Sequence, residues 1–242
     1  MRRYLYIITS IFLISSLASA QSLDMLKEKV KKVNIDDIKG VSLTETDAAN
    51  AIKEALNKGV DIGVKKVSKQ DGFFLDPEIR IPFPKDMKKV EKKLRDLGMN
   101  QQIDQIVVSI NRAAEDASTS AKPIFIKAIK DMSISDAKKI VNGNKSAATD
   151  YLRNSTYLSL SKEFQPIIRT SLQKVNATKY WKSLMRAYNK IPFIKKVNPD
   201  LEIYVTEKAI DGLFFMIEKE EKRIRENPKQ RTTELLKKVF GK

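Results

Sequence analysis

The sequence predicts an all-α protein: a single globular domain of about nine or ten helices behind an N-terminal signal peptide. Apolar residues recur at intervals of three and four along most of the chain, and no long run alternates with a period of two. Glycine, which weakens helices, accounts for only 8 of the 242 residues. We divide the chain into a signal peptide at 1–20, a partly helical lead segment at 21–43 and an all-helical domain at 44–242.

The first twenty residues have the order of a secretory signal peptide. An Arg-Arg pair at 2–3 precedes a mostly apolar stretch at 4–17, and Ala-Ser-Ala follows at 18–20. This pattern predicts cleavage before Gln21 and export, to the periplasm in a Gram-negative bacterium. The alternative is an uncleaved membrane anchor, but the apolar stretch is interrupted and shorter than the roughly 20 residues that a span needs. No transmembrane span is therefore expected after cleavage.

The composition excludes several kinds of active site. The chain contains neither His nor Cys, so Ser–His and Cys–His hydrolases, His/Cys zinc sites and disulfides are ruled out. No metal and no cofactor is predicted. The 46 basic and 30 acidic residues give a net charge of +16. Loss of Arg2 and Arg3 with the signal peptide would leave 44 basic against 30 acidic residues, a balance of +14. Such a charge favours polyanionic partners, although it can simply keep a protein soluble.

The first helix of the domain is predicted from its N-terminal signal. Thr44, followed three residues later by Asp47, is typical of a capping box. Gly59 and Gly63 lie inside the helical pattern, where they predict a bend or the close approach of another helix.

An irregular segment and an amphipathic helix follow. Within residues 68–84, Gly72 predicts a turn with a positive φ, and three prolines bar a continuous helix. The helix predicted at 85–97 has a basic face and an apolar face, and Gly98 ends it. The basic face consists of Lys85, Lys88, Lys89 and Lys92. The apolar face consists of Met87, Val90, Leu94 and Leu97.

Shorter helices are predicted in the middle of the chain. The helix through 103–117 has a polar side made of Asp104, Arg112, Glu115 and Asp116. Arg112 and Asp116 are four residues apart and are spaced to form an ion pair. Ser133 and Asp136 predict a second capping box. Further helices are expected at 146–154, at 156–175 with a kink at Pro166, and at 177–189.

The longest apolar pattern lies near the C-terminus. Asn198 and Pro199 predict the start of a helix that ends at Glu226. Its middle, residues 209–217, has apolar side chains in nearly every direction, so we expect it to be buried on all sides as the central helix. A last helix is expected at 228–240.

Several short motifs recur together in one known family. They are Asp71-Gly72-Phe73-Phe74, Arg80-Ile81-Pro82, Asn111-Arg112-Ala113-Ala114-Glu115, Asn142-Gly143, Ala147-Ala148-Thr149, Asn198-Pro199-Asp200-Leu201, Asp211-Gly212-Leu213-Phe214 and Arg231-Thr232-Thr233-Glu234-Leu235-Leu236. In this order, over about residues 42–241, the chain resembles a bacterial exported family, domain of unknown function 4197. The resemblance implies a helical protein of the bacterial envelope. It implies no activity and no catalytic residue.

Asp211 is the leading candidate for a ligand-binding residue. A carboxylate among apolar neighbours must be paired or hydrogen-bonded, since burial of an unpaired charge costs several kcal/mol. One interpretation is a perturbed acid that lines a pocket, together with Arg112, Glu115 and Arg153. The other is a structural ion pair with Arg112, Arg153 or a nearby lysine.

Two further surfaces have both a functional and an ordinary interpretation. The basic face at 85–92 is a candidate anionic-surface site or membrane-lying face, or else an ordinary solvated face. The phenylalanines of two Ile-Pro-Phe segments and their neighbours either open a groove for an acyl chain or apolar peptide, or fill the core. These aromatic residues are Phe73, Phe74, Phe83 and Phe193.

The sequence therefore predicts a non-enzymatic binding or interaction module of the bacterial envelope. The expected partner is amphiphilic or anionic: an anionic lipid, an acidic envelope polymer or another envelope protein, and not a nucleic acid. The alternative is a hydrolase of an envelope polymer that uses carboxylates such as Glu115, Asp150 and Asp211. No residue is assigned a catalytic role. The single Trp181 argues against the aromatic platform that sugar-cleaving sites usually display.

Export predicts a specific mature N-terminus. Sequencing of the protein from the periplasmic fraction should give Gln21 as the first residue, because cleavage follows Ala20. Recovery of Met1 in a membrane fraction would contradict this prediction.

Overall fold

The computed structural model describes residues 44–84, 87–194, 196, 200–230, 233 and 237. These residues form eight α-helices, one 3₁₀-helix and no strand, as predicted for an all-α protein. The helices are α1 (Glu45–Val67), α2 (Lys88–Asp96), α3 (Asn100–Ser118), α4 (Ala121–Asp131), α5 (Ile134–Asn142), α6 (Ala147–Lys174), α7 (Ala177–Asn189) and α8 (Leu201–Glu226), and the 3₁₀-helix is Pro228–Gln230. The predicted signal peptide, lead segment and most of the last helix lie outside the described residues.

Helix α8 lies at the centre of the domain, as its apolar sequence predicts. It packs against α1, α3 and α6, while α4 and α5 pack on α1 and α6, and α2 and α7 pack on α3. Its fully buried side chains include Leu213 and Phe214. The ring of Phe214 meets that of Phe125 from α4 edge to face, with 5.6 Å between the centroids. Burial of these large apolar side chains is the main stabilising term in a domain without disulfides.

The predicted caps of α1 and α5 are confirmed. The Thr44 hydroxyl accepts a hydrogen bond from the Asp47 amide at 3.0 Å, and the Ser133 hydroxyl accepts one from the Asp136 amide at 3.1 Å. In both cases the aspartate closes the box by accepting from the backbone of the cap residue. Each box satisfies donors that the first turn of a helix leaves unpaired.

The predicted start of α8 at Asn198 is wrong by two residues. The N-cap is Asp200, whose carboxylate accepts from the amides of Glu202 at 2.8 Å and Ile203 at 3.1 Å. A carboxylate at this position also interacts favourably with the positive end of the helix dipole. The predicted end at Glu226 is confirmed.

Residues 147–174 form one helix and not the two that the sequence suggested. The polar residues taken as a break are accommodated inside α6, because the hydroxyls of Ser155 and Thr156 donate to carbonyls one turn back at 2.8 Å and 2.6 Å. The helix also continues through Pro166, at an exposed position. The buried stripe that holds it to the core consists of Leu152, Thr156, Leu160, Phe164 and Ile168.

The apolar face of α2 is mostly as predicted. Met87, Val90 and Leu94 are buried, but Leu97 is 59% exposed, contrary to expectation. The helix ends at Asp96, and Gly98 turns the chain with a φ of +81°, so Leu97 lies beyond the stripe that faces the core.

Glycines mark the closest approaches between elements. A methyl group at Gly63 would lie 3.3 Å from the Ile217 side chain, which confirms the predicted close helix approach. At Gly72 a methyl group would lie 2.5 Å from the Lys66 carbonyl oxygen, whereas the positive φ expected there belongs to Asp71, at 66°. At Gly212 a methyl group would lie 2.5 Å from the Phe73 ring, so this glycine lets the loop pack directly on α8.

Replacement of Gly212 by Ala should destabilise the protein by about 1–3 kcal/mol, because the methyl group forces the buried Phe73 ring to move. Gly59→Ala is the matched control, since its methyl group would meet only ordinary contact, 3.8 Å from Glu220. That variant should gain about 0.5–1 kcal/mol from helix propensity. Urea unfolding measures both, and equal effects would contradict the packing described.

Candidate functional site

Three side chains of α3, namely Asn111, Arg112 and Glu115, hold the irregular segment 71–81, and we refer to them as the α3 clamp. The fully buried Asn111 side chain bonds both backbone groups of Ile81. Its oxygen accepts from the Ile81 amide at 2.8 Å, and its nitrogen donates to the Ile81 carbonyl at 2.8 Å and to the Val107 carbonyl at 2.7 Å. The amide side chain therefore replaces the strand or helix partner that Ile81 lacks.

Glu115 holds the other end of the same segment. Its Oε1 accepts from the amides of Phe73 at 3.0 Å and Phe74 at 3.2 Å, and its Oε2 accepts from Arg112 at 2.7 Å. Arg112 also donates to Asp71 at 2.6 Å. The hydrogen bond to Glu115 raises the pKa of Arg112 above its ordinary value, and the bond to Asp71 acts in the same direction.

These contacts correct two sequence predictions. Glu115 was expected on the polar side of its helix, but its side chain is only 4% exposed and serves the backbone of the loop. Arg112 pairs with Glu115 and Asp71 and not with Asp116, which instead accepts from Ser171 on α6. Arg112 and Glu115 are therefore positioned to hold the loop. Both carboxylate oxygens of Glu115 already accept hydrogen bonds from the loop or from Arg112.

The ring of Phe74 lies against two guanidinium groups. Arg80 lies 4.6 Å and Arg112 lies 5.7 Å from its centroid, within the range of cation–π contacts. Phe74 is half-buried, whereas Phe73 and Phe83 are buried and Phe193 is fully exposed. Of the aromatic residues that the sequence singled out, Phe73 and Phe83 are buried, and Phe74 and Phe83 contribute to the lining of an open groove.

A groove of about 1340 Å³ runs between segment 74–83, the start of α3 and the outer side of α8. Its volume exceeds the roughly 300–1,000 Å³ typical of small-molecule pockets. Partly exposed apolar side chains line it: Phe74, Val108 and Phe215. Its charged lining residues are Glu78, Arg80, Glu91, Arg95, Asp104, Glu207, Lys208 and Asp211.

Most of these charges are already paired. Arg95 bridges Glu91 at 2.9 Å and Asp104 at 3.0 Å, and Glu78 pairs with Lys219. Two of the lining residues, Arg80 and Glu207, form no ion pair with any residue in the described part of the chain. The groove therefore combines apolar surface with one available cation and one available carboxylate.

The expectation that Asp211 is buried on all sides is wrong. Its side chain is 47% exposed and pairs with Arg153 at 3.1 Å and Lys208 at 3.2 Å. The side of α8 that faces the groove carries Tyr204, Glu207, Lys208, Asp211 and Phe215. Phe215 is itself 39% exposed. Because this apolar residue lies on the outward side of α8, the sequence pattern indicated a helix buried on every side. The structural interpretation, a pair with Arg153, agrees with the geometry, and the Arg153 guanidinium lies 4.5 Å from the Phe214 ring centroid.

The carboxylates considered for a hydrolase have three separate sets of partners. Glu115 belongs to the α3 clamp, Asp211 pairs with Arg153 and Lys208, and the exposed Asp150 accepts from Ser146 at 3.1 Å. No two of them share a hydrogen-bond partner. The single Trp181 is buried and packs on Phe83 with 5.3 Å between the ring centroids, so it offers no exposed platform.

The sequence did not reveal the role of Glu221. This buried residue of α8 accepts from the amides of Ala148 at 3.1 Å and Thr149 at 2.8 Å, and it pairs with Arg225 at 2.8 Å. It thereby caps α6, whose own N-cap, Ser146, makes no side-chain cap bond. No local signal could have shown this, because the acceptor lies more than 70 residues along the chain from the amides.

Three of the four lysines of the basic face predicted on α2 lie within the described residues. Lys88, Lys89 and Lys92 are exposed and lie outside the lining of the groove. Lys85 lies outside the described residues. Whether this face binds an anionic surface stays a prediction.

A family of proteins of unknown function, DUF4197, matches residues 42–241, and the chain belongs to it. No curated protein and no solved structure shows detectable similarity to the chain. Family membership confirms the resemblance drawn from the sequence motifs, and the α3 clamp supplies a structural reason for two of them, since Asp71-Gly72-Phe73-Phe74 is held by Asn111-Arg112-Ala113-Ala114-Glu115.

The described residues contain neither a membrane-spanning helix nor a cluster of metal ligands. None of the helices within them has the length and apolar character to cross a membrane. They also contain no group of three His, Cys, Asp or Glu side chains that could hold a metal ion.

Loss of a residue of the α3 clamp should lower the free energy of unfolding far more than loss of the half-exposed Asp211. Glu115→Ala leaves the Phe73 amide without its acceptor and Arg112 with one carboxylate fewer, so the free energy of unfolding should fall by about 2–4 kcal/mol. Asp211→Ala removes a half-exposed, solvent-screened pair and should cost less than about 1 kcal/mol. Urea unfolding of both variants tests this order, and a larger loss for Asp211→Ala would contradict it.

Proposed function

We propose that the protein is a non-enzymatic binding module of the bacterial envelope and that the groove between segment 74–83 and α8 holds an amphiphilic partner. The envelope location rests on the signal-peptide pattern at 1–20. The observation that carries the binding proposal is the exposure of Phe215 and Val108 beside an unpaired Arg80. Apolar side chains next to one available cation match a partner with a hydrocarbon part and an anionic group.

The held position of Arg80 supports this assignment. Its guanidinium lies over Phe74, and the backbone on either side of it is tied to α3 by Asn111 and Glu115. A cation whose position is set before binding loses little conformational entropy when it pairs with an anion. The groove volume of about 1340 Å³ suits a long chain better than a compact metabolite.

The hydrolase alternative receives less support. Acid–base cleavage of a glycosidic bond needs two available carboxylates on either side of the bond. Among the described lining residues Glu207 is the carboxylate without an ion pair, whereas Glu78, Glu91, Asp104 and Asp211 are each paired.

Calorimetric titration with dodecanoate, a single-chain anionic amphiphile, tests the proposal. Binding by the full chain should weaken about tenfold in Phe215→Ser, which removes apolar contact, and about tenfold in Arg80→Gln, which removes the cation. Leu158→Ser and Lys222→Gln alter an exposed apolar residue and an exposed cation that do not line the groove, and both should bind as the unaltered chain does.

Two results would contradict the proposal. One is the absence of dodecanoate binding at millimolar concentration. The other is binding that neither groove variant changes, which would place the amphiphile elsewhere on the chain.

A further inference from the structure

A second surface, on α7, has a charge distribution unlike that of the groove. Residues 164–199 contain eight Lys or Arg and no Asp or Glu. Four exposed cations lie on one side of α7 or at its C-cap, with spacings of three and four residues: Lys179, Lys182, Arg186 and Lys190. We refer to these four residues as the α7 basic face.

The α7 basic face is electrostatically uncompensated. None of its four cations forms an ion pair with another residue in the described ranges, whereas Arg169, at the near end of the acid-free stretch, pairs with Glu202 at 2.8 Å. The opposite side of α7 is fixed in the core by Trp181, Leu184 and Met185. The helix is therefore rigidly held with its positive side towards the solvent.

A recess lies at the N-terminal half of this face. It has a volume of about 420 Å³ and is lined by Lys179, Lys182 and Arg186, together with Gln173, Asn176 and Thr178. The Thr178 hydroxyl oxygen is buried and has no hydrogen-bond partner among the described residues. Three cations and polar side chains around one recess match the oxygen atoms of a phosphate group.

Apolar side chains are exposed at both ends of the face. Phe193, just beyond Lys190, is fully exposed, and Val175, just before the helix, is 46% exposed. Phe193 has a φ of 59°, in the left-handed region that a bulky residue rarely adopts. The backbone thus holds the ring in solvent at a local conformational cost, which is a feature of functional segments.

From these features we propose that the α7 basic face docks the protein on an anionic phospholipid bilayer. The recess receives a lipid phosphate, the remaining cations lie at the negatively charged headgroups, and Phe193 enters the interface with the acyl chains. Charge alone would suit any polyanion, but a fully exposed aromatic ring beside the cations gains free energy only where it leaves water. The outward lysines of α2 lie on a helix that packs against α7 and add to the positive field.

This proposal is independent of the groove, because none of its residues lines the groove.

Sedimentation with vesicles of phosphatidylglycerol and phosphatidylethanolamine measures membrane binding, with phosphatidylcholine vesicles as the neutral control. All variants are made in the exported form that begins at Gln21, so residues 21–43 contribute equally throughout. Lys182→Gln with Arg186→Gln should reduce binding to the anionic vesicles about 25-fold, since each cation near such a surface contributes roughly fivefold. Lys65→Gln with Lys222→Gln removes the same charge from exposed positions on α1 and α8 and should reduce it much less.

Insertion of the aromatic ring is tested separately. In Phe193→Trp the new indole should shift its emission to shorter wavelength and be quenched by brominated lipid when anionic vesicles are added, while the buried Trp181 contributes a constant background. Leu158→Trp, at an exposed site on α6, should show neither effect. Phe193→Asn suits the left-handed backbone and should keep the melting temperature while weakening vesicle binding at least about fivefold.

The outcomes separate a membrane from other anions. Equal loss of binding in the two double-charge variants, or unquenched Phe193→Trp, would overturn the proposal. Tighter binding to inorganic polyphosphate or DNA than to the vesicles, unaffected by Phe193→Asn, would also overturn it and would assign the face to soluble polyanions. Failure of dodecanoate to bind the groove would leave these results unchanged.

Discussion

The hydrogen bonds of Asn111 and Glu115 to the backbone of segment 71–81 are the interaction on which the groove depends. Pro77 lies within the segment, Pro82 and Pro84 follow it, and the segment has no helical or strand ladder to satisfy its amides and carbonyls. Buried side chains of α3 supply those partners at both ends. Because a buried, unsatisfied backbone group costs about as much as a lost hydrogen bond, the segment keeps a fixed path, and Phe74 and Arg80 keep fixed positions along the groove.

Helix α8 forms the other wall of the groove and at the same time packs in the core. Its inner sides pack on α1, α3 and α6, and Gly212 lets the ring of Phe73 approach its backbone. Its outer stripe, with Lys208, Asp211 and Phe215, faces the groove. The same helix also caps α6 through Glu221, so one helix both forms a wall of the groove and satisfies the first turn of α6.

The two proposed binding surfaces differ in how their charges are used. In the groove most cations and carboxylates neutralise one another, which leaves apolar contact, the Arg80 guanidinium and the Glu207 carboxylate, among the described lining residues, to select a partner. On the α7 basic face the cations form no ion pair with the part of the chain that the structure describes, which favours a surface with many negative charges.

The sequence by itself determined the helical fold, the capping boxes at Thr44 and Ser133, the central position of α8, the close approach at Gly63 and the family. These features depend on residues that are neighbours in the chain or on helical periodicity, and local patterns carry that information. Tertiary structure alone decided that Glu115 is buried, that Asp211 is half-exposed, that Glu221 caps α6 and that residues 147–174 are one helix. Glu115, Asp211 and Glu221 each bind a partner that is distant in the chain, and residues 147–174 form one helix with a continuous buried stripe along it. Periodicity shows that a polar side chain lies among apolar ones, but the side chain's environment is set by which helix packs on which face.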